Sequence, residues 1–307
     1  MQFPRFHILP AVALSGMALL GSFLADSRAA DTPRLLRVIC WNIEWFPGMT
    51  RNPTPEQAAA HAELVKAEIK RLNPDILLAQ EIGNWQAFAD LVAVVPGLQP
   101  AVVSAFKSEE TGDYWPQQLA IASRLPVFAA WSEEWSAGEA ITPRRGFSAI
   151  AALVPDSDKI LLFYSLHLKS NRSRSDADAQ LNFDTRDESI RQLLRHAQDM
   201  ETVVFKDRIA GVVVGGDFNT NHDGQFGDNV IRMMEQGGFV SSWGDTPRKD
   251  RATWRGNDRF EATTFDYIFT KGLGNPKAKL LEVPEGRSDH RPFGIEIAFP
   301  SAAAPKN

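Results

Sequence analysis

Apolar runs of strand length alternate along this chain with turn-rich polar stretches and with two segments of helical period. Leu35-Leu36-Arg37-Val38-Ile39-Cys40-Trp41 is the first strand-like run. Residues 56–72 follow, where Leu64, Ile69 and Leu72 recur among Glu63, Lys66, Glu68 and Lys70, the pattern of a surface helix, and Asn73-Pro74 ends it. Asp75-Ile76-Leu77-Leu78-Ala79-Gln80-Glu81 then reads as a buried strand. Further strands are expected over Leu119–Ser123, Phe147–Val154, Ile160–Leu168, Val212–Gly215, Phe265–Thr270 and Phe293–Ala298. A second helix is expected over 187–206, where Ile190, Leu193, Leu194, Ala197 and Val204 mark one face. So many strands imply packed sheets. With no internal repeat, linker or low-complexity tract before the tail 301–307, the pattern predicts one domain over 30–300.

Composition narrows the class. At 307 residues, 44% hydrophobic and 23% charged, the chain has ample apolar area for a core, which excludes disorder away from the ends. Its single cysteine, Cys40, excludes an intramolecular disulfide and a zinc–thiolate cluster, and inside an apolar run it reads as a small buried hydrophobe. Arg5 and His7, an apolar stretch from Ile8 to Leu24, and Ser27 and Ala29 before a small-residue exit predict an export signal over 1–29, cleaved after Ala29. A membrane anchor is the other reading of that stretch. The formal charge is −5, and removal of Arg5, Asp26 and Arg28 makes the remainder one unit more negative. Global electrostatics therefore gives no help with nucleic acid, which argues against a DNA-coating role but leaves room for a locally basic cleft.

Four segments share one design, an apolar strand that ends in polar residues: Trp41-Asn42-Ile43-Glu44, Leu78-Ala79-Gln80-Glu81, Leu166-His167-Leu168-Lys169-Ser170-Asn171 and Gly216-Asp217-Phe218-Asn219. A buried strand fixes its backbone, so its open end is where a rigid scaffold presents reactive groups. Taken singly, each has a plainer reading. Glu81 is either an ordinary strand-end carboxylate or a ligand for a hard, oxygen-preferring cation. Asp217 and Asn219, two apart, point the same way in an extended chain, with Gly215 and Gly216 allowing close backbone approach to a substrate; a turn or cap is the alternative. Asp266 lies in an apolar strand, where a carboxylate is costly unless paired. His290 is its natural partner, whether as a catalytic or a purely structural acid–histidine pair.

Taken in order, Asn42, Gln80-Glu81, His167, Gly216-Asp217-Phe218-Asn219, Asp266-Tyr267 and Ser288-Asp289-His290 resemble the endonuclease/exonuclease/phosphatase superfamily. Its members include pancreatic-type deoxyribonuclease, abasic-site endonucleases, neutral sphingomyelinases and inositol polyphosphate 5-phosphatases. Ser123-Arg124-Leu125-Pro126 and the basic Pro143-Arg144-Arg145-Gly146 add weaker support. The resemblance implies a four-layer α/β sandwich, two mainly antiparallel β-sheets packed face to face and flanked by helices. It implies Glu81 as the main Mg²⁺ ligand, with Mn²⁺ as a substitute, and Asn42 and Asp289 near the metal. Asp217 would orient or deprotonate water, and Asn219 would hold that water or a phosphate oxygen. His290, oriented by Asp266, would stabilise charge on the phosphate, and His167 would stand near the leaving group. One cation, two imidazoles and a carboxylate meet the needs of phosphodiester hydrolysis.

For the substrate, Lys169, Arg172 and Arg174 with Arg144 and Arg145 read as the positive wall of a cleft, Lys169, Asn171 and Arg145 being the candidate phosphate contacts. A solvated loop balanced by Asp176, Asp178 and Asp184 is the competing reading. The expected function is an exported nuclease acting on DNA or RNA as a monomer, secreted or periplasmic, with no protein partner and no membrane span after processing. A sphingomyelinase-like or small-molecule phosphodiesterase is the alternative within the class, and a catalytically silent binding protein the alternative outside it.

Overall fold

The computed structural model describes residues 34–299 apart from 109, 139, 140 and 156, and these form one compact unit. The expected export signal and the tail 301–307 lie outside the described residues. In chain order the elements are β1 (Arg34–Phe46), α1 (Pro55–Leu72), β2 (Ile76–Ile82), α2 (Trp85–Val92), β3 (Gln99–Val103), β4 (Gln118–Ser123), β5 (Val127–Glu134) and β6 (Gly146–Leu153). There follow β7 (Ile160–His167), α3 (Asp176–Asp199), β8 (Ile209–Asp217), α4 (Val230–Gln236), β9 (Val240–Ser241), β10 (Asp266–Lys271), β11 (Lys279–Leu280) and β12 (Phe293–Phe299).

The strands build two six-stranded sheets, ordered β11-β12-β1-β2-β4-β3 and β5-β6-β7-β8-β10-β9. In each, only the middle pair is parallel, β1 with β2 and β7 with β8, and every other pair is antiparallel. Parallel neighbours need a crossover, and α1 and α3 supply the two. The expected sandwich of mainly antiparallel sheets is the observed fold.

Side chains sort by strand period. Val38 and Cys40 of β1 and Ile76 and Leu78 of β2 face the space between the sheets, whereas Ile39, Trp41, Leu77 and Ala79 face the outer layer with α1 and α2. Each fully buried apolar side chain of this size stabilises by about 1.5–3 kcal/mol. Helix α1 starts where the sequence dictates: Thr54 and Gln57 form a capping box, Pro55 takes the first turn, and Asn73 closes it in a left-handed conformation at φ 50°.

Gly215 and Gly216 do other work than the expected approach to substrate. A Cβ on Gly215 would strike Leu78 across the sheets, and one on Gly216 would strike the Leu166 carbonyl of the adjoining strand. They let the scaffold close on itself. The second helix also differs from expectation: α3 begins eleven residues earlier than 187, capped by Ser175, and ends at Asp199 before a single π-helical turn over 200–204. Its N-terminal half is buried through Asn182, Thr185 and Arg186, polar residues that apolar periodicity does not register.

Candidate active site

Topology brings the polar strand ends to one edge. The parallel strands β1, β2, β7 and β8 deliver Asn42, Glu81, His167 and Asp217 at their C-terminal ends. The antiparallel strands β10 and β12 start at that edge, so Asp266 opens β10 and His290 lies just ahead of β12. Six of the expected residues thus meet from both sheets, all buried.

Asp217 is the hub. One of its carboxylate oxygens lies 3.5 Å from His167 Nε2 and 3.8 Å from His290 Nε2, and accepts from Asn42 Nδ2 at 3.1 Å. Asn42 also donates to Glu81 Oε1 at 3.3 Å, and Glu81 Oε2 accepts the Trp45 amide at 2.9 Å. That amide is reached because the chain at Glu44, Trp45 and Glu81 turns left-handed, at φ 35°, 49° and 63°. The Asp266 carboxylate and His290 Nδ1 lie 2.6 Å apart, the expected pair. Ser288 fixes the approach of this loop, accepting from the His290 amide and donating to the Asn42 carbonyl.

The two imidazoles are driven in opposite directions. Burial, Arg145 and His290 push His167 well below the ordinary histidine range, so it is neutral. Burial acts on His290 in the same sense, but Asp266, Asp217 and Asp289 outweigh it and hold that imidazole protonated. Burial and the neighbouring Asp266 raise Asp217 to about 7 against the partial relief of His290 and the Asn219 amide. Groups with separated titrations at one edge are the arrangement that acid–base chemistry requires. His167 Nδ1 is buried with no hydrogen-bond partner among the described residues, 4.0 Å from Glu81.

Asn219 sits at φ 52°, so the chain there is not extended and the expected common direction with Asp217 does not hold. Its amide N–H donates to Asp217 Oδ1 and its side chain donates to the Leu168 carbonyl. Asn171 donates to the Asn219 carbonyl at 2.6 Å and so joins the loops after β7 and β8. Arg145, half-buried, reaches the His167 carbonyl and Gln117, while Lys169 is exposed.

Two further groups escaped the sequence reading. Glu44 accepts the Asp289 amide at 2.9 Å, and burial together with Asp289 and Glu81 raises its carboxyl to about 7. Its place in the polar strand end Trp41-Asn42-Ile43-Glu44 was the signal available. Trp254 donates to Asp289 Oδ2 at 3.1 Å, and no local pattern marks it. Asn42, Glu44, Glu81 and Asp289 bring further oxygen atoms to this edge, the atom type a hard cation prefers. Asp217, Asp266 and His290 also offer ligand atoms within 4.8 Å of one another; His290 Nδ1 is engaged by Asp266, which leaves Nε2, 3.8 Å from Asp217, as the nitrogen facing the site.

The family model described as Endonuclease/Exonuclease/phosphatase family matches residues 39–290. A search of curated proteins gives no match. Among solved structures, the human nocturnin catalytic domain superposes with a TM-score of 0.64 at 20% identity, over 86% of this chain and 93% of that one. A Bacteroides thetaiotaomicron mannosyl-6-phosphatase gives 0.60 at 18% identity over 86% and 100% of the two chains. Truncated Caenorhabditis elegans TDP2 gives 0.59 at 15% identity over 86% and 98%.

Proposed function

The chain belongs to the endonuclease/exonuclease/phosphatase family, and from that premise we propose that it is an exported, Mg²⁺-dependent phosphodiesterase whose substrate is nucleic acid. The observation that carries the chemistry is the convergence of neutral His167 and protonated His290 on Asp217, beside the oxygen donors of Asn42 and Glu81.

The donor set fits the cation. Burial first, and then the neighbouring Asp289 and Glu81, raise the Glu44 carboxyl to about 7, and a divalent ion beside it would favour the ionised form. Asn42, Glu81 and Asp289 would hold it, with Glu44 as a fourth oxygen donor. When bound, it supplies neutralisation of the non-bridging phosphate oxygens. The remaining work belongs to side chains. Asp217, poised near neutrality, orients the attacking water and takes its proton. His290, held charged by Asp266, faces the charge that grows on the phosphate. His167 stands beside the leaving oxygen, and Asn219 fixes the Asp217 carboxylate through its backbone. Lys169, Asn171 and Arg145 position phosphate on the His167 side. The chain works as a monomer in the periplasm or outside the cell.

A panel of plasmid DNA, single-stranded DNA, RNA, sphingomyelin and inositol phosphates, each with and without EDTA, tests the reading. Plasmid nicking that EDTA removes is expected, and turnover of sphingomyelin alone would overturn it.

A further inference from the structure

Arg145 belongs to two places at once. Its guanidinium reaches the His167 carbonyl inside the active site, and it also lines a surface pocket walled by Lys107, Trp115, Glu134, Pro143 and Arg144. The pocket is therefore the outward continuation of the catalytic edge on the His167 side.

Three cations, Lys107, Arg144 and Arg145, line the pocket against two carboxylates, Glu110 and Glu134. Beyond it, burial and then Arg145, Arg144, Arg186 and Arg172 lower the Lys169 ammonium, so further positive charge stands near this pocket without lining it. Only Arg186 is neutralised internally, by Asp228 at 2.5 Å. Arg144 meets Glu110 at 2.8 Å, but both side chains are mostly exposed, and such a pair is weak and easily displaced. Among the described residues, Lys107, Arg145, Lys169 and Arg172 have no carboxylate within 4.0 Å. Asp178, one of the expected counter-charges, is turned to the Arg174 amide. Aromatic faces accompany the cations: Lys107 lies 4.8 Å over Tyr114, and Arg144 lies 6.0 Å over Trp115. A basic groove with aromatic rings is the recurrent surface for a strand of phosphates and bases.

We propose that the pocket between Lys107, Trp115, Pro143 and Arg144 binds the phosphate next to the one being cut, so that the enzyme selects phosphodiester polymers over isolated or zwitterionic phosphoesters. The inference rests on the phosphodiesterase reading and narrows its substrate class. A phosphocholine ester brings a cation to a wall with a surplus of positive charge, whereas an oligonucleotide brings an anion.

Thymidine trinucleotides provide the test. One has two ordinary linkages, and two others carry a neutral methylphosphonate on the 5′ or the 3′ side of the single remaining scissile linkage. For the wild-type protein with Mg²⁺, one of the two neutral placements should lower kcat/KM by at least about tenfold, the scale of one lost charge-assisted contact. In the Lys107→Gln/Arg144→Gln double variant, both changed at exposed positions, the ratio between the charged substrate and that analogue should fall to about one. The salt dependence of kcat/KM should also become shallower, by roughly 0.7 in log–log slope for each phosphate contact removed. Equal cleavage of all three trinucleotides by the wild-type protein would refute the subsite and leave the phosphodiesterase intact. Failure to cut any of them, or bis(p-nitrophenyl) phosphate, would overturn both.

Discussion

At the scale of residues, the site depends on what each carboxylate is prevented from doing. Asp266 is almost fully buried and has one oxygen on His290 and the other without a partner, so its charge is spent on holding that imidazole protonated. Asp217 accepts from Asn42 and the Asn219 amide and lies 3.5 and 3.8 Å from two imidazoles, so its surroundings are polar. His290→Ala and Asp217→Asn should therefore each abolish turnover, Asp217→Asn while changing stability by no more than about 2 kcal/mol and His290→Ala, which leaves Asp266 as an unpaired buried charge, at a cost of about 3–5 kcal/mol, as read from urea unfolding beside the activity assay. Retained turnover in either variant sinks the assignment. The Asp266–His290 pair was legible in the sequence because an acid in an apolar strand needs a partner, and the chain offers few. Glu44 and Trp254 were not, since their importance comes from Asp289, more than thirty residues away from each along the chain.

At the scale of elements, the strands that carry the site were read from their apolar runs, whereas β5 was not. It is an edge strand with most of its side chains exposed, so no face of it alternates. The missed first half of α3 has the opposite cause, burial of polar groups. Arg186 lies there, fully buried, donating to Asp228 and to the Lys169 carbonyl, while Asp228 also receives Thr220 beside Asn219. Arg186→Met leaves Asp228 as an uncompensated buried charge and should cost about 3–5 kcal/mol, measured by denaturant unfolding. A loss under about 1 kcal/mol would show that water already reaches the pair. Helix α1 holds the other side of the site through His61, which accepts the Gly48 amide on Nδ1 at 2.7 Å and faces the Arg287 carbonyl with Nε2 at 2.8 Å. Burial lowers its pKa although that carbonyl opposes the shift. The unfolded chain takes up a proton near pH 6.5 that the fold refuses, so the contribution is full above that pH and is lost as pH falls below it. The stability advantage of wild type over His61→Gln should accordingly be larger at pH 7.5 than at pH 5.5, and a constant difference would refute a neutral His61.

At the scale of the whole molecule, the site is shared by two sheets whose faces form one core. Asn42 and Glu81 come from one sheet, and His167, Asp217 and Asp266 from the other. In a urea titration, loss of activity and loss of tryptophan fluorescence should fall on one curve, and activity lost well before the fluorescence change would mean that the edge opens without the core. The sandwich was legible because strand runs and their polar ends recur in order along nearly the whole chain. The sheet order was not, since β1 pairs along its length with β12, at the far end of the sequence. That pairing carries a consequence for biosynthesis. A polypeptide still growing on the ribosome has its first strand waiting for a partner not yet made, and the loop bearing His290 is translated just ahead of that partner. Chains that stop short of β12 should therefore be inactive, and activity should emerge only once synthesis of that strand is complete.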